Sequence, residues 1–136
     1  MKLSTGLTFN GKCEEAFRFY EQCLGGKIQT MMKWGDSPMA DKVPSEWRDK
    51  IIHTFMVVGE TSMLGGDAPP DRYEAPRGLS VTVHVEEPAE AERVFGALAE
   101  GGTMTMPIQQ TFWSTRFGMC VDRYGIPWMV NCERAA

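Results

Sequence analysis

Apolar and polar positions alternate along residues 3 to 9, with Leu3, Leu7 and Phe9 on one side, before Asn10-Gly11 breaks the pattern with residues suited to a helix N-cap. The chain therefore opens with a strand that leads into a helix. From Cys13 to Leu24 the period lengthens to that of a helix. Cys13, Ala16, Phe17, Tyr20 and Leu24 form one stripe, and Gly25-Gly26 supplies a left-handed stop. Further strands are expected at 27–34, 51–58 and 61–65. The polar, proline-containing stretch 35–50 reads as a long loop with one helical turn around 45–49.

The same order then recurs. Residues 79–85 read as a strand and Pro88 stands where proline opens a helix. Ala91, Val94, Phe95 and Leu98 make the apolar stripe, which Gly101-Gly102 ends. Strands at 103–109, 115–121 and 126–132 follow, the last two joined by a tight turn at Asp122-Arg123-Tyr124-Gly125. A β-α-β-β-β unit thus appears twice. We expect one domain of two modules, 1–67 and 78–136, with a proline-rich connector at 68–77.

One helix can cover only one face of a four-stranded sheet, so the other face must find a partner or meet water. Along the fifth strand Val81, Val83 and Val85 point one way, toward the second helix, and Ser80, Thr82 and His84 point the other. If that polar face turns inward it lines a wet or ligand-filled cavity. If it turns outward it is an ordinary solvated strand face.

Composition narrows the function classes. The 136 residues carry 14 Lys and Arg against 18 Asp and Glu, a net charge of −4, with the basic residues scattered singly. Neither a nucleic acid nor an anionic membrane surface fits as the main partner. Ser4, Thr5, Gly6 and Thr8 interrupt any signal-peptide core, and no transmembrane run occurs. Cys13, Cys23, Cys120 and Cys132 form no Cys-x-x-Cys pair and are too sparse for a disulfide scaffold, so reduced thiols and a cytoplasmic location are expected. Ten methionines suit an adaptable apolar cavity, or simply a loosely packed core. No Gly-x-Ser-x-Gly elbow, Walker loop or Gly-x-Gly-x-x-Gly fingerprint is present.

Several motifs carry a family likeness: Phe9-Asn10-Gly11, Glu14-Glu15-Ala16-Phe17 with Phe19-Tyr20, Leu24-Gly25-Gly26, Leu64-Gly65-Gly66-Asp67, Arg116-Phe117-Gly118-Met119 and the run DRYGIPWMVN from Asp122 to Asn131. In this order they resemble the PhnB-like branch of the vicinal oxygen chelate superfamily, along nearly the whole chain. That superfamily includes glyoxalases, bleomycin-resistance proteins and extradiol dioxygenases. Relatives in this branch often bear the name 3-demethylubiquinone-9 3-methyltransferase. An S-adenosylmethionine methyltransferase of the usual kind needs a parallel α/β sheet with a glycine-rich crevice, however, and these short strands offer none.

The resemblance implies an α+β fold of paired βαβββ modules, a half-open mixed β-barrel sheet with one helix per module, a homodimer, and a site inside the strands. It also implies that the four places used for metal ligands by relatives fall on Thr5, Met63, Ser80 and Met129, none a usual ligand of a catalytic divalent ion. His84 lies about 13 Å along the strand from Ser80, at roughly 3.3 Å per residue, too far to replace it. We therefore expect no metal and no cofactor, and a small-molecule binding protein or an enzyme of unknown reaction. Its cavity candidates are Thr5, Leu7, Met63, Ser80, Thr82, His84, Trp113, Arg116, Met129 and Asn131.

Each candidate has a plainer account. His84 serves as a general base or as a strand-end histidine bonded to backbone. His53, within an apolar run, reads as a surface or satisfied core residue. Arg116 beside Trp113 and Phe117 clamps a planar anion or pairs with an exposed glutamate. Asp67, after Gly65-Gly66, reads as a turn acid with a capping role. The rival functions are a divalent-metal lyase, isomerase or dioxygenase with His84 in a displaced site, and a protein that sequesters a drug or toxin.

Overall fold

The computed structural model describes residues 1–133 and divides into two compact units, Met1–Ala75 and Pro76–Ala136. The first holds β1 (Thr5–Phe9), α1 (Cys13–Leu24), β2 (Lys27–Lys33), β3 (Ile51–Val58) and β4 (Thr61–Asp67). The second holds β5 (Val81–Val85), α2 (Pro88–Ala99), β6 (Thr103–Gln109), β7 (Ser114–Val121) and β8 (Pro127–Glu133). Each unit is one open, mixed four-stranded sheet with the same order, β1-β4-β3-β2 and β5-β8-β7-β6. The first and last strands of each unit are parallel and the other pairings antiparallel.

The helices form where the periodicity places them because each has an apolar stripe to bury. On α1, Cys13, Ala16, Phe17, Tyr20 and Cys23 are buried, and Phe17 meets Phe9 edge to face at 6.1 Å and Tyr20 at 5.7 Å. Full burial of each such ring contributes about 1.5–3 kcal/mol. On α2 the buried set is Ala91, Val94, Phe95 and Leu98. In both units one glycine lets the helix approach the sheet. A Cβ on Gly65 would stand 2.6 Å from the Phe17 ring, and one on Gly118 would stand 2.7 Å from the Phe95 ring. Gly25 ends α1 at φ 70°, the left-handed conformation expected of it.

The structure alters several local expectations. β1 begins at Thr5 and β5 at Val81; Leu3 and Leu79, 92% and 59% exposed, have nothing to pack against. β4 runs on to Asp67, and β8 spans Pro127–Glu133. Asn10-Gly11 does not cap α1, because Lys12 is the N-cap residue and makes no side-chain bond. The cap comes from across the sheet. Asp67 Oδ1 accepts from the Gly11 and Cys13 amides at 2.8 and 2.9 Å, and Oδ2 from the Ile51 amide at 2.9 Å. Residues 35–50 hold three 3₁₀ turns in place of one, Trp34–Asp36, Ala40–Lys42 and Ser45–Trp47. They stay ordered over a small core of their own, Trp34, Val43 and Trp47 packed with Ile52.

Candidate functional site

In the second unit, alternation on β8 puts Trp128, Val130 and Cys132, each about 1% exposed or less, on the face covered by α2. Pro127, Met129 and Asn131 take the opposite, helix-free face. Cross-strand partners share a face, so the register extends this set: Met129 pairs with Thr82 and Met119, and Asn131 with His84 and Phe117. Hydroxyl, thioether, imidazole, carboxamide and phenyl groups thus adjoin on one face. Beyond Phe117 the aromatic surface continues through Trp113 at 5.2 Å to Phe112 at 4.6 Å from it. Phe112 is 86% exposed, unusual for a ring with no partner to cover it.

Among the described residues His84 meets a side chain in place of the backbone group of the plainer account: its Nδ1 lies 3.3 Å from Asn131 Nδ2. Asn131 is 7% exposed, and its Oδ1 is buried without a hydrogen-bond partner among the described residues.

Arg116 does not join this face. It pairs with Cys132 across the ladder and so lies on the α2 side, where Nε donates to Glu92 Oε1 at 3.2 Å and Nη1 to the Thr115 carbonyl at 2.8 Å. The clamp reading of Arg116 with Trp113 and Phe117 is therefore corrected, since the arginine and Phe117 occupy opposite faces of one strand. Ser80 precedes β5 and is half-buried.

Of the first-unit candidates, Leu7 is among the walls of a hollow described below, and Thr5 and Met63 are not. Thr5 pairs with Met63, and Leu7 and Met63 are 6% and 5% exposed. They share the side of Phe9, which packs on α1, while Gly6, Thr8, Leu64 and Gly66 take the helix-free side. Of the four places implied for metal ligands, two thus face α1. Two hydroxyls and two thioethers also do not fit a hard divalent cation, which seeks carboxylate, imidazole or carbonyl donors. Among the described residues no three His, Cys, Asp or Glu side chains converge.

A hollow of about 520 Å³ opens on the helix-free side of the first sheet, beside the Leu64-Gly65-Gly66-Asp67 motif. Gly6, Thr8, Leu64 and Gly66 contribute to it, and Trp34, Ile52, His53, Pro69 and Arg72 complete it. The Trp34 indole donates to the Asp67 carbonyl at 3.1 Å, and the Arg72 guanidinium lies 5.9 Å above its ring. Residues beyond β4 that read only as connector thus form one wall. On the other side of this sheet the Cys13 thiol is pushed well above its ordinary value, first by burial and then by the Asp67 and Glu14 charges.

The family model for 3-demethylubiquinone-9 3-methyltransferase matches residues 1–131. The chain belongs to that family. This family member is 30% identical over 139 residues to Protein YjdN of Escherichia coli strain K12, covering 96% of the chain and 95% of YjdN. The crystal structure of PA1353 from Pseudomonas aeruginosa superposes with a TM-score of 0.90 at 46% identity, over 99% of each chain. The Bacillus cereus PhnB protein, described as a putative 3-demethylubiquinone-9 3-methyltransferase, gives 0.81 at 25% identity over 97% and 99%. The two helices and eight strands have the fold of a glyoxylase/bleomycin resistance protein/dioxygenase domain from Frankia sp. EAN1pec, with a TM-score of 0.64 at 17% identity.

Proposed function

We propose that this PhnB-like protein binds a small molecule on the helix-free face of its second sheet without the divalent ion used by catalytic members of the vicinal oxygen chelate superfamily. One observation carries the reading: the register pairs Thr82–Met129 and His84–Asn131 set hydroxyl, thioether, imidazole and carboxamide groups on one face beside the Phe112–Trp113–Phe117 rings. Such a face suits a largely apolar ligand fixed by a few hydrogen bonds. Methyl transfer, the activity in the family's name, lacks support because each sheet has one parallel pair and none of the parallel crevice that holds S-adenosylmethionine in the usual enzymes. The two βαβββ modules, 1–67 and 78–136 about the connector 68–77, act as paired units in a homodimer. Among the described residues no helix is long and apolar enough to cross a membrane.

The test uses neutral indole as probe, followed through the methyl signals of Met119 and Met129. Saturable shifts that Trp113→Ala weakens about fivefold are expected, since stacking on one aromatic is worth roughly that much. The protein should also retain less than ~0.1 equivalent of zinc or manganese after loading and desalting. Unmoved methyl signals would overturn the binding face. About one ion held per chain would instead favour the metal-dependent lyase, isomerase or dioxygenase reading.

A further inference from the structure

We infer that the hollow on the first sheet is a separate site for a small organic anion, with its oxyanion on Arg72 and its apolar body over the strand glycines. The inference does not depend on the second-sheet face, because every residue that lines the hollow lies within Met1–Ala75.

Three features of the hollow select the ligand. Its floor has depth because two strand positions carry no side chain. A Cβ at Gly66 would stand 2.5 Å from the Ile52 carbonyl oxygen, and one at Gly6 would stand 3.3 Å from Leu64 Cδ1. Gly66 must stay bare, a methyl at Gly6 would have to displace the tip of Leu64, and Leu64 and Ile52 leave apolar walls beside them.

The charge it presents to solvent is positive, in a chain whose net charge is −4. The one acid in the lining is Asp67, whose carboxylate is 96% withdrawn from solvent and already accepts three backbone N–H bonds on the α1 side. It meets the hollow through its backbone, where the carbonyl holds the Trp34 indole. Arg72 has no carboxylate within ion-pair distance among the described residues, and its guanidinium lies over Trp34.

The cation is also held in place. The Arg72 and Tyr73 amides donate to the Pro69 carbonyl at 2.9 and 3.0 Å, so a proline-started turn sets the arginine over an indole that is itself fixed. At 5.9 Å from the ring centroid the guanidinium is within cation–π range, and its planar N–H fork suits a two-oxygen acceptor. His53 adds a ring nitrogen at the same opening, and Thr8 a hydroxyl.

The experiment titrates ¹⁵N-labelled full-length protein with benzoate, phenylphosphonate and the neutral analogue benzamide, following the Trp34 indole and the Gly6 and Gly66 amides. Benzoate and phenylphosphonate should give saturable shifts below about 10 mM, as expected for ligands of this size. Benzamide should bind about tenfold more weakly, Arg72→Gln should weaken the anions about tenfold, and Arg72→Lys should restore part of the loss. Raising the salt should also weaken anion binding, because the arginine is exposed. Equal binding of benzamide, unchanged affinity in Arg72→Gln, or no saturable shift would each overturn the site. If the methyl signals of Met119 and Met129 titrate and these do not, the second-sheet reading stands and this one falls.

Discussion

Removing the Asp67 carboxylate tests the tie that holds the first unit together. Asp67 is 4% exposed, and its two oxygens accept from the amides of Gly11, Cys13 and Ile51, joining the end of β4 to the start of α1 and the start of β3. Hydrogen bonds to a charged group contribute about 1.5–3 kcal/mol each, and a buried amide left without a partner costs a similar amount. Three at the low end give about 4.5 kcal/mol. The Gly11 amide is only part-buried and can turn to water, which brings the expected loss for Asp67→Ala to about 3–4 kcal/mol. With a urea m-value of about 1.5 kcal/mol/M, the midpoint followed by tryptophan fluorescence should fall by about 2 M. Asp67→Asn keeps the shape but turns an N–H₂ toward backbone donors, so it should recover only a small part of the loss. Amide exchange at Cys13 and Ile51 should quicken in both variants. The control is Glu14→Gln, whose partner Arg18 is exposed and whose loss should stay below about 0.5 kcal/mol. A midpoint for Asp67→Ala within about 0.5 M of the parent would refute this account of the fold.

Two further outcomes follow from buried groups. The Cys13 thiol is raised above its ordinary value of 9.0, so the folded state keeps a proton that the unfolded chain releases at high pH. Its stabilising effect is complete below pH 9 and is lost as pH rises, at about 1.4 kcal/mol per pH unit at most; urea midpoints at pH 8 and 10 should show this slope, and Cys13→Ala should abolish its share of it. Gly118→Ala would push a methyl to 2.7 Å from the Phe95 ring, and the overpacking should cost about 1–3 kcal/mol with α2 still helical by circular dichroism.

Periodicity and punctuation alone determined the two β-α-β-β-β units. An apolar stripe with a glycine stop specifies a buried helix wherever the chain runs, so α1 matched in extent and α2 began at its proline. Strand ends were less legible because they depend on a partner: Leu3 and Leu79 fit the alternation, yet neither has a neighbour to hydrogen-bond or pack against. The family likeness also followed from ordered motifs, since each marks a turn or close approach that the backbone requires.

The site was only partly legible. Thr82, His84, Met129 and Asn131 share a face because strand alternation is local and their register joins them. Thr5 and Met63 went the other way because a one-residue difference in phase exchanges the two faces of a strand, and only the packing of Phe9 on Phe17 fixed that phase. Arg116 could have reached either side until Glu92 on α2 supplied its partner. Asp67 read as a local turn acid, yet its three donors come from residues 16 to 56 positions away. Trp34 and Arg72, 38 positions apart, meet only because β4 carries its following turn back over the first 3₁₀ turn. A sequence specifies which groups seek burial and at what period; which distant groups meet them is decided when the sheet closes its register.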